Sequence, residues 1–457
     1  MKNNTVQRCD FRMHDMKNEF IKAFIVCFNI LFILSSCEED STYLDSDRID
    51  ISEYSSEYKI NIINNDTTAY SRITDDNLSN ADLIIAESFE HFAVERLNQL
   101  TQKINESFVF SPLNLSLTIS LMNDANKEED WKEINNYLKL PDKYSNINSN
   151  EYNRKIIKNI QKELDGNDNE IKISNKIWVK KNCNIYRSFL STLISYNAKI
   201  EGVEFNCDSD RNHINSYIQD NSNSNNSSLS TEFDDNMNSL FTNSIRFSLQ
   251  WKDKLYTYTD TLQYNSGGIP VSVITTKIGG FGKFNYADFG YYSITEIPYT
   301  DENYSMFLIY TPFADDRYSN VLNDIISCGG IDKCINKMEQ TYLNLKFPMF
   351  SVENTISLIE NNNSFLKCYS KVSPNEQFIL NEISQVCALK VDENGTTAKV
   401  ITDDTITDIK DFLIVGSTQL PKFIEVDIDG PFWFLVRNNK LKTILFSGSI
   451  KYNGYGK

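Results

Sequence analysis

The residue types that most often carry catalysis are scarce in this chain of 457 residues. Its three histidines are His14, His91 and His213, and no two have the His-x-x-x-His spacing that places two zinc ligands on one helix face. Phe89 and Phe92 flank His91 at helical spacing, which indicates a histidine on the polar face of an amphipathic helix. We interpret His213 in the same way. The sequence therefore predicts no catalytic residue, no metal site and no cofactor.

Two further motifs of enzymes are incomplete. Ser364–Lys367 matches the Ser-x-x-Lys of penicillin-recognising enzymes, but Lys442-Thr443 continues with Ile444 instead of the glycine that completes Lys-Thr-Gly. Gly279–Gly282 lacks the lysine and the following helix of a phosphate-binding loop. Neither motif favours an enzyme.

The nine cysteines contain no Cys-x-x-Cys pair. Cys328 and Cys334 lie close enough in sequence for one disulfide, which an exported protein could form in an oxidising compartment. We expect Cys368 and Cys387 to be buried free thiols instead.

The charge balance excludes one class of partner. The chain has 62 Asp and Glu against 45 Lys and Arg, a formal net charge of -17. Proteins that grip nucleic acid or an anionic membrane surface by charge need concentrated Lys and Arg. We therefore predict no nucleic-acid partner.

The amino end has the pattern of an export signal. Met1 and Met16 are both possible starts, and basic residues precede an apolar run over 23–34 that is too short for a comfortable membrane span. Leu34–Cys37 resembles the lipobox of bacterial lipoproteins, in which the cysteine becomes the lipidated terminus. A membrane anchor that is kept intact is the alternative interpretation.

This resemblance implies a lipoprotein signal peptide over 1–36 and a lipid anchor on Cys37. The acidic Glu38–Asp40 is similar to the surface-export signal of some Gram-negative lipoproteins, so we expect an exported lipoprotein on the outer membrane or cell surface of a Gram-negative bacterium. Residues 37–80 are polar and have no sustained period, which predicts a flexible tether.

Residues 81–457 show no repeat and no linker rich in Pro and Gly, which favours one domain. Its second half is rich in strand patterns, such as 305–310, 342–347 and 432–436. Its first half has helical spacing, and the helices are predicted over 82–104, 112–123, 130–139, 151–164, 187–196 and 210–219. Helices followed by strands favour an α+β fold.

Several separated segments of this domain, taken in order, resemble the serpin family of protease inhibitors. Each match alone is weak, but together they cover nearly all of 81–457. The matching segments are Phe108–Leu113, Ile173–Val179, Thr242–Phe247, Ile297–Tyr299, Phe423–Val426, Gly430–Phe434 and Ile444–Gly448.

One more segment, Val391–Ala398, resembles the Glu-x-Gly-Thr-x-Ala hinge of the serpin reactive-centre loop. Without its context, Asn394-Gly395 between alternating strands would predict a β-hairpin. The order of the surrounding segments favours the hinge, with Gly395 allowing the chain to turn. The hinge residues are then Glu393, Gly395, Thr396, Thr397 and Ala398.

The resemblance implies a serpin fold with three β-sheets, a helical N-terminal half and an exposed reactive-centre loop. It implies a monomeric suicide inhibitor of serine proteases, or alternatively of cysteine proteases, which borrows the catalytic machinery of its target. The protease cleaves the loop, and the loop then inserts into the large sheet with the protease attached in a covalent complex. A non-inhibitory serpin-fold surface lipoprotein that binds a ligand or partner is the alternative.

The scissile bond has two candidate positions. Counting forward from the hinge gives Ile409–Lys410, and counting back from Pro431 gives Leu420–Pro421. The two differ because the segment from Gly395 to Pro431 is about ten residues longer than is usual in the family. We prefer Ile409–Lys410, because insertion is measured from the hinge.

The sequence departs from inhibitory members in the segment expected to insert and in the shutter region. Alternation from Thr396 turns every second residue inward, which includes Asp404, a carboxylate that is costly to bury. Ala398–Ile401 replaces a run of small residues. In the shutter region below the sheet, Ser111 and Asn243 match the family, whereas Asn114 replaces a serine and Gln385 a histidine. We predict a rewired but fully satisfied hydrogen-bond network there.

Overall fold

The described part of the chain contains eight helices, and apolar residues at helical spacing predict most of them. The computed structural model describes residues 59–63, 78–125, 131–141, 146–162, 170–222, 239–266, 269–313, 316–357, 372–374, 384–397 and 422–451. The helices are α1 Asn80–Lys103, α2 Pro112–Ala125, α3 Trp131–Tyr137, α4 Asn146–Lys162, α5 Arg187–Ser195, α6 Asp208–Ser222, α7 Asp316–Ser327 and α8 Ile331–Ile335. The first six confirm the predicted helices.

Local signals explain where the first two helices begin. Ser79 caps α1, since its hydroxyl accepts a hydrogen bond from the backbone N–H of Asp82, and the Asp82 carboxylate accepts one from the backbone N–H of Ser79 at 2.7 Å. Pro112 occupies the first position of α2, where the missing N–H costs nothing. Helix α2 packs on strands of both large sheets, and its residues 113–123 are all buried.

Seventeen strands lie in the same described ranges. They are β1 Asn61–Ile63, β2 Phe108–Phe110, β3 Glu170–Lys180, β4 Asn184–Tyr186, β5 Ala198–Val203, β6 Ser239–Gln250, β7 Tyr256–Ser266, β8 Ile269–Asp288, β9 Ser293–Pro298, β10 Tyr304–Tyr310, β11 Glu339–Pro348, β12 Phe350–Ser357, β13 Ser384–Val391, β14 Gly395–Thr397, β15 Ile424–Asp427, β16 Phe432–Asn438 and β17 Thr443–Ile450.

The strands form three sheets. A six-stranded sheet has the order β12-β13-β14-β6-β3-β5, and β1 and β4 form a small parallel sheet. A nine-stranded sheet has the order β15-β11-β8-β9-β10-β16-β17-β2, with β7 paired to β8. The α+β class, the three sheets and the mainly helical first half are as predicted.

Aromatic side chains join the two large sheets. Phe247 of β6 contacts the rings of Tyr299, Tyr304 and Phe446 of the other sheet, with centroid distances of 5.4, 6.3 and 5.9 Å. All four side chains are buried. Such edge contacts add to the burial of apolar area and fix how the two sheets stack.

A buried ion pair joins α1 to β16. The Arg437 guanidinium lies 2.5 Å from a carboxylate oxygen of Glu90, and a second nitrogen lies 2.8 Å from Asp332 of α8. Arg437 and Glu90 have 3% and 2% of their side chains exposed. Burial raises the pKa of Glu90 to about 7, although the charge of Arg437 acts in the opposite direction.

The flexible tether predicted over 37–80 is wrong for residues 59–63. Residues 61–63 form β1, and Ile60 is buried with 2% exposed. The run of apolar residues there is too short to show a period, so the sequence alone does not reveal the strand. The tether's first residue, Cys37, lies outside the described residues.

The cysteines of the described part are free thiols. Cys328, which is exposed, and Cys334, which is buried, are both free thiols, so the structure does not contain the disulfide considered for this pair. Cys387 is a buried free thiol as predicted, and Cys368 lies outside the described residues. Within the described ranges, no group of His, Cys, Asp and Glu could hold a metal ion, and no helix is long and apolar enough to cross a membrane.

Candidate functional site

The predicted hinge is a tight turn between β13 and β14. Val391 pairs with Thr396 across the turn, and the backbone N–H of Asp392 donates to the carbonyl of Gly395 at 3.0 Å. The carboxylate of Asp392 accepts from the backbone N–H of Asn394 at 3.0 Å. The hairpin that Asn394-Gly395 predicts and the hinge are therefore the same structure, and Glu393 lies within its turn.

Gly395 is required by close packing. Its φ of +159° is nearly extended, so the turn expected at this glycine does not explain the residue. A Cβ atom there would lie 2.2 Å from the carbonyl oxygen of Leu249 and 2.7 Å from the Cα of Gln250. Gly395 thus lets β14 approach the backbone of β6.

The aromatic pair Trp251 and Tyr299 holds the side chain of Thr396, the first inward-facing residue of β14. Thr396 has no exposed surface, and its hydroxyl lies 2.7 Å from the hydroxyl of Tyr299. The indole of Trp251 stacks on Tyr299 with a centroid distance of 4.7 Å and donates to the carbonyl of Asp392 at 2.8 Å. Thr396 therefore faces inward, whereas Thr397 is only partly buried.

Below β14, β13 and β6 face each other across what we call the seam. Both strands are antiparallel to β14 and hence parallel to one another. Over the described residues 384–389 and 239–247, no backbone ladder joins them: β13 pairs with β12, and β6 pairs with β3. The seam is a place in the sheet that one more strand could occupy.

Two of the predicted shutter residues bridge the seam. The side-chain amide of Gln385 on β13 lies 3.4 Å from the side-chain oxygen of Asn243 on β6. Gln385 also accepts from the backbone N–H of Ser111 at 2.6 Å and donates to its carbonyl at 3.1 Å. Asn243 donates to Thr118 and to the carbonyl of Asn114 on α2. The amides connect both edges of the seam to the start of α2.

The prediction of a fully satisfied network is wrong at one position. The side chain of Asn114 is 1% exposed, and neither its oxygen nor its nitrogen has a hydrogen-bond partner in the described residues. Its backbone N–H is 3.2 Å from the Ser111 hydroxyl. The amides of Gln385 and Asn243 bond to the backbone of Ser111 and Asn114 and to Thr118, and none of these bonds reaches the Asn114 side chain.

Helix α6 lies across the seam on the opposite face of the sheet. It packs against both β6 and β13. Ile214 and Ile218 of α6 form one cluster with Leu240 of β6, Val386 of β13 and Trp178 of β3. Opening of the seam would have to disturb this cluster.

A charged cluster beside α6 was not predicted. Glu201 of β5 lies 2.6 Å from the Lys176 ammonium and 3.1 Å from the His213 ring of α6. The same ammonium lies 3.9 and 4.5 Å from the ring centroids of Trp178 and Tyr217. No sequence spacing relates these residues, because only the sheet register brings β3 and β5 together beneath the helix.

Burial and charge act in opposite directions in this cluster. Burial lowers the pKa of Lys176, and the hydrogen bond to Glu201 offsets only part of that effect. Burial alone would raise the pKa of Glu201, but the contacts with Lys176 and His213 outweigh it and hold the pKa below its usual value. The Lys176–Glu201 ion pair thus lies within the sheet, and the contacts of Glu201 with His213 and of Lys176 with Tyr217 attach α6 to it.

The chain after the candidate loop is fixed to the nine-stranded sheet. Strand β15 runs parallel to β11. The ammonium of Lys277 on β8, 1% exposed, lies 2.6 Å from Asp427 of β15 and 3.0 Å from Asp260 of β7. Burial would lower the pKa of Lys277, but the two carboxylates outweigh it and raise the pKa above its usual value. The predicted residues Ala398, Ile409 and Lys410 lie outside the described residues.

Comparisons with known proteins agree with this arrangement. A family model described as Serpin (serine protease inhibitor) matches residues 87–452. Human neuroserpin is 23% identical over 379 residues, which covers 76% of this chain and 86% of neuroserpin. Plasminogen activator inhibitor 1 of Neovison vison is 25% identical over 389 residues, which covers 80% of this chain and 92% of that protein.

Solved structures show the same fold. The native state of Tengpin, a thermophilic serpin, has a TM-score of 0.68 at 18% identity and covers 84% of this chain and 97% of its own. Thyroxine-binding globulin, in its complex with thyroxine, has a TM-score of 0.67 at 16% identity and covers 80% of this chain and 98% of its own.

Proposed function

Because the chain belongs to the serpin family, we propose that it is a suicide inhibitor of serine proteases that acts by inserting its cleaved loop into the seam. Its relatives include protease inhibitors, such as plasminogen activator inhibitor 1. Serpins are generally protease inhibitors and not enzymes. The protease supplies the catalytic groups, and the chain supplies a cleavable loop and a sheet that can accept one more strand.

The observation that carries the proposal is the seam, which no backbone ladder closes over the described residues, with β14 at its upper end. Two residues of the loop, Thr396 and Thr397, already pair with both neighbouring strands, and Gly395 pairs with β6. Below them, the backbone edges of β13 and β6 are not joined to each other over the described residues. A strand that continued β14 would pair on both sides, and each ladder hydrogen bond adds about 1 kcal/mol to stability.

The register of β14 tells which loop residue would meet each level of the seam. Thr396 pairs with Val391 and Leu249, so continuation of both ladders brings Thr402 level with Gln385 and Asn243. The shutter amides would then exchange their contact across the seam for contacts with the new strand.

Asp404 would be level with Phe241, which is 2% exposed. A carboxylate that faces this part of the core without a partner costs several kcal/mol. This cost would slow the last stage of insertion, and a slow insertion lets the protease complete hydrolysis and leave. We therefore expect a fraction of the inhibitor molecules to be cleaved like an ordinary substrate, without trapping the protease.

The scissile bond and the cellular location belong to the same proposal. We assign the bond to Ile409–Lys410, where the isoleucine before the bond favours an elastase-like or subtilisin-like target. If Lys410 itself is the recognised residue, the target is trypsin-like and the bond cut is the one after Lys410. The signal segment 1–36 and Cys37 support an exported lipoprotein, attached to the outer membrane or cell surface by a lipid.

The test is the formation of a covalent complex. The mature chain is mixed with trypsin-like, elastase-like, subtilisin-like and papain-like proteases, and denaturing electrophoresis is used to detect a complex that survives denaturant. We expect such a complex with at least one protease.

Two hinge variants make the test specific. Thr396→Arg places a charge at a side chain with no exposed surface, so we expect cleavage without complex. Thr397→Arg, at the partly buried neighbour, should retain the complex. Cleavage of the unaltered chain by every protease without any complex would contradict inhibition and favour the binding-protein alternative.

A further inference from the structure

Residues 59–63 lie at the end of the six-stranded sheet that is remote from the hinge. The hinge pairs with residues 248–250 of β6, whereas Val179 near the end of β3 pairs with Ser239 at the start of β6. Strand β1 attaches just beyond this end of β3, beside β4. The segment is therefore placed where an inserting strand would arrive last.

The contacts of this segment are specific. The carbonyl of Lys59 accepts from the backbone N–H of Asn182, and the backbone N–H of Asn61 donates to the carbonyl of Cys183, both at 2.9 Å. The Asn61 side chain donates to the carbonyl of Asn182 at 2.7 Å. Ile60 is buried, and β1 adds a parallel ladder along all three residues of β4.

The two-stranded sheet has a contact with β5 on one side and with the connection between β12 and β13 on the other. On one side, the Lys59 carbonyl packs so closely on Gly202 of β5 that a Cβ atom there would lie 2.3 Å from its oxygen. On the other side, the backbone N–H of Tyr186 in β4 donates to the carbonyl of Val372 at 2.9 Å. Val372 is buried and belongs to the connection between β12 and β13.

We propose that residues 59–63 are a clasp that holds the seam closed at its far end, by bracing β4 between β5 and the segment that leads into β13. This inference rests on the proposed function and adds a restraint on the rate of insertion. A new strand needs β13 and β6 to stand two strand spacings of about 4.8 Å apart, so β13 must move away from β6. Because Val372 is bonded to β4 and joined along the chain to β13, this movement strains the contacts that β1 reinforces. The clasp thereby slows insertion and prolongs the life of the uncleaved state.

The experiment measures opening of the seam without a protease. A synthetic peptide with the sequence of residues 396–406 is added in excess, and its uptake is followed by native electrophoresis and by the thermal midpoint. The proteins compared are the mature chain, a chain that begins at Tyr58 and a chain that begins at Asn64. Residues 58–457 form one unit, so the second form retains the clasp and the third lacks it. We expect uptake at least about tenfold faster without the clasp.

A point variant displaces the clasp without removing it. Gly202→Ala in the mature chain would push against the Lys59 carbonyl and should raise the uptake rate similarly. In the chain that begins at Asn64, the same variant should change the rate less than about twofold, because the Lys59 carbonyl is absent and the remaining contact, 3.2 Å to the Cα of Lys181, is much less severe. Gly280→Ala is the matched control, since its nearest contact would be an ordinary 3.4 Å to a leucine side chain.

Each outcome has a distinct meaning. Equal uptake by the chains beginning at Tyr58 and Asn64 would overturn the clasp while leaving insertion intact. Restoration of slow uptake by a peptide of residues 58–63 would support the clasp over a folding defect. Uptake by none of the forms would overturn the insertion mechanism of the proposed function, and the clasp with it.

Discussion

At the scale of single residues, Gly395 is the most constrained position of the hinge. We expect Gly395→Ala to lift β14 from β6, because the new methyl carbon would lie 2.2 Å from a backbone oxygen. Backbone atoms cannot yield as a flexible side chain can, so the pairing of Thr396 and Thr397 should be lost. The number of protease molecules inhibited per molecule of serpin should fall severalfold, as measured by titration of residual protease activity.

The control for this variant is Gly282→Ala on β8. Its added methyl carbon would meet only a ring carbon at 3.8 Å, an ordinary contact. The control should inhibit like the unaltered chain. If Gly395→Ala also inhibits normally, close approach to β6 is not what the glycine provides.

At the scale of elements, the ion pair that joins α1 to β16 should make stability depend on pH. The pKa of Glu90 is raised from 4.5 to about 7 in the folded chain. The folded state then holds a proton that the unfolded state has released, so this contribution to stability is present below about pH 4.5 and lost as pH rises to about 7. At about 1.4 kcal/mol per pKa unit, the loss amounts to about 3 kcal/mol.

Denaturant unfolding at pH 5 and pH 8 would measure this contribution. Glu90→Gln should remove most of the difference between the two conditions. Glu95→Gln on the same helix is the control, since the Glu95 side chain is 33% exposed and pairs with Lys139 on the surface. A pH difference that persists in Glu90→Gln would assign it to another group.

The elements also show what the sequence could predict. Helical spacing located six helices, because each has an apolar face that must be buried against a sheet. The family motifs led to the turn at Gly395 and to the amides beside the seam, whose roles as hinge and shutter stay predictions. Strand β1 and the cluster of Lys176, Glu201 and His213 were missed, since each depends on contacts between segments that no local period records.

The outcome at the shutter illustrates the same limit. The residue types of Gln385 and Asn243 correctly indicated hydrogen bonding, because amides can donate and accept. Which amide would remain unpartnered depended on distances within α2. For that reason, the buried Asn114 side chain could not be identified from sequence.

At the scale of the whole molecule, cleavage of the loop should stabilise the fold. A strand of about ten residues that pairs on both sides would add on the order of 10–20 kcal/mol, at about 1 kcal/mol for each hydrogen bond. For a domain of this size, each kcal/mol raises the thermal midpoint by roughly 1–2 °C. We expect the midpoint to rise by about 20 °C, as measured by calorimetry before and after limited proteolysis.

Thr396→Arg provides the control for this measurement. The variant should be cleaved in the same segment but should not insert, so its midpoint should stay within a few degrees of the uncleaved chain. A rise in the variant would mean that cleavage stabilises the molecule in some way other than insertion at the hinge.

The anchoring of β15 by Lys277 has a consequence for the uncleaved chain. Residues 398–421 are the covalent link between two fixed points, Thr397 in the sheet and Lys422 before β15, and their contour length is about 80 Å. Each residue that enters the seam shortens this link by about 3.3 Å and moves its inserted end by up to about 3.3 Å away from the other. The spare length of the link therefore falls by up to about 6.6 Å for each inserted residue. The extra length of this loop, about ten residues, allows at least about five more residues to enter before the link is fully extended, and only cutting the link removes that limit.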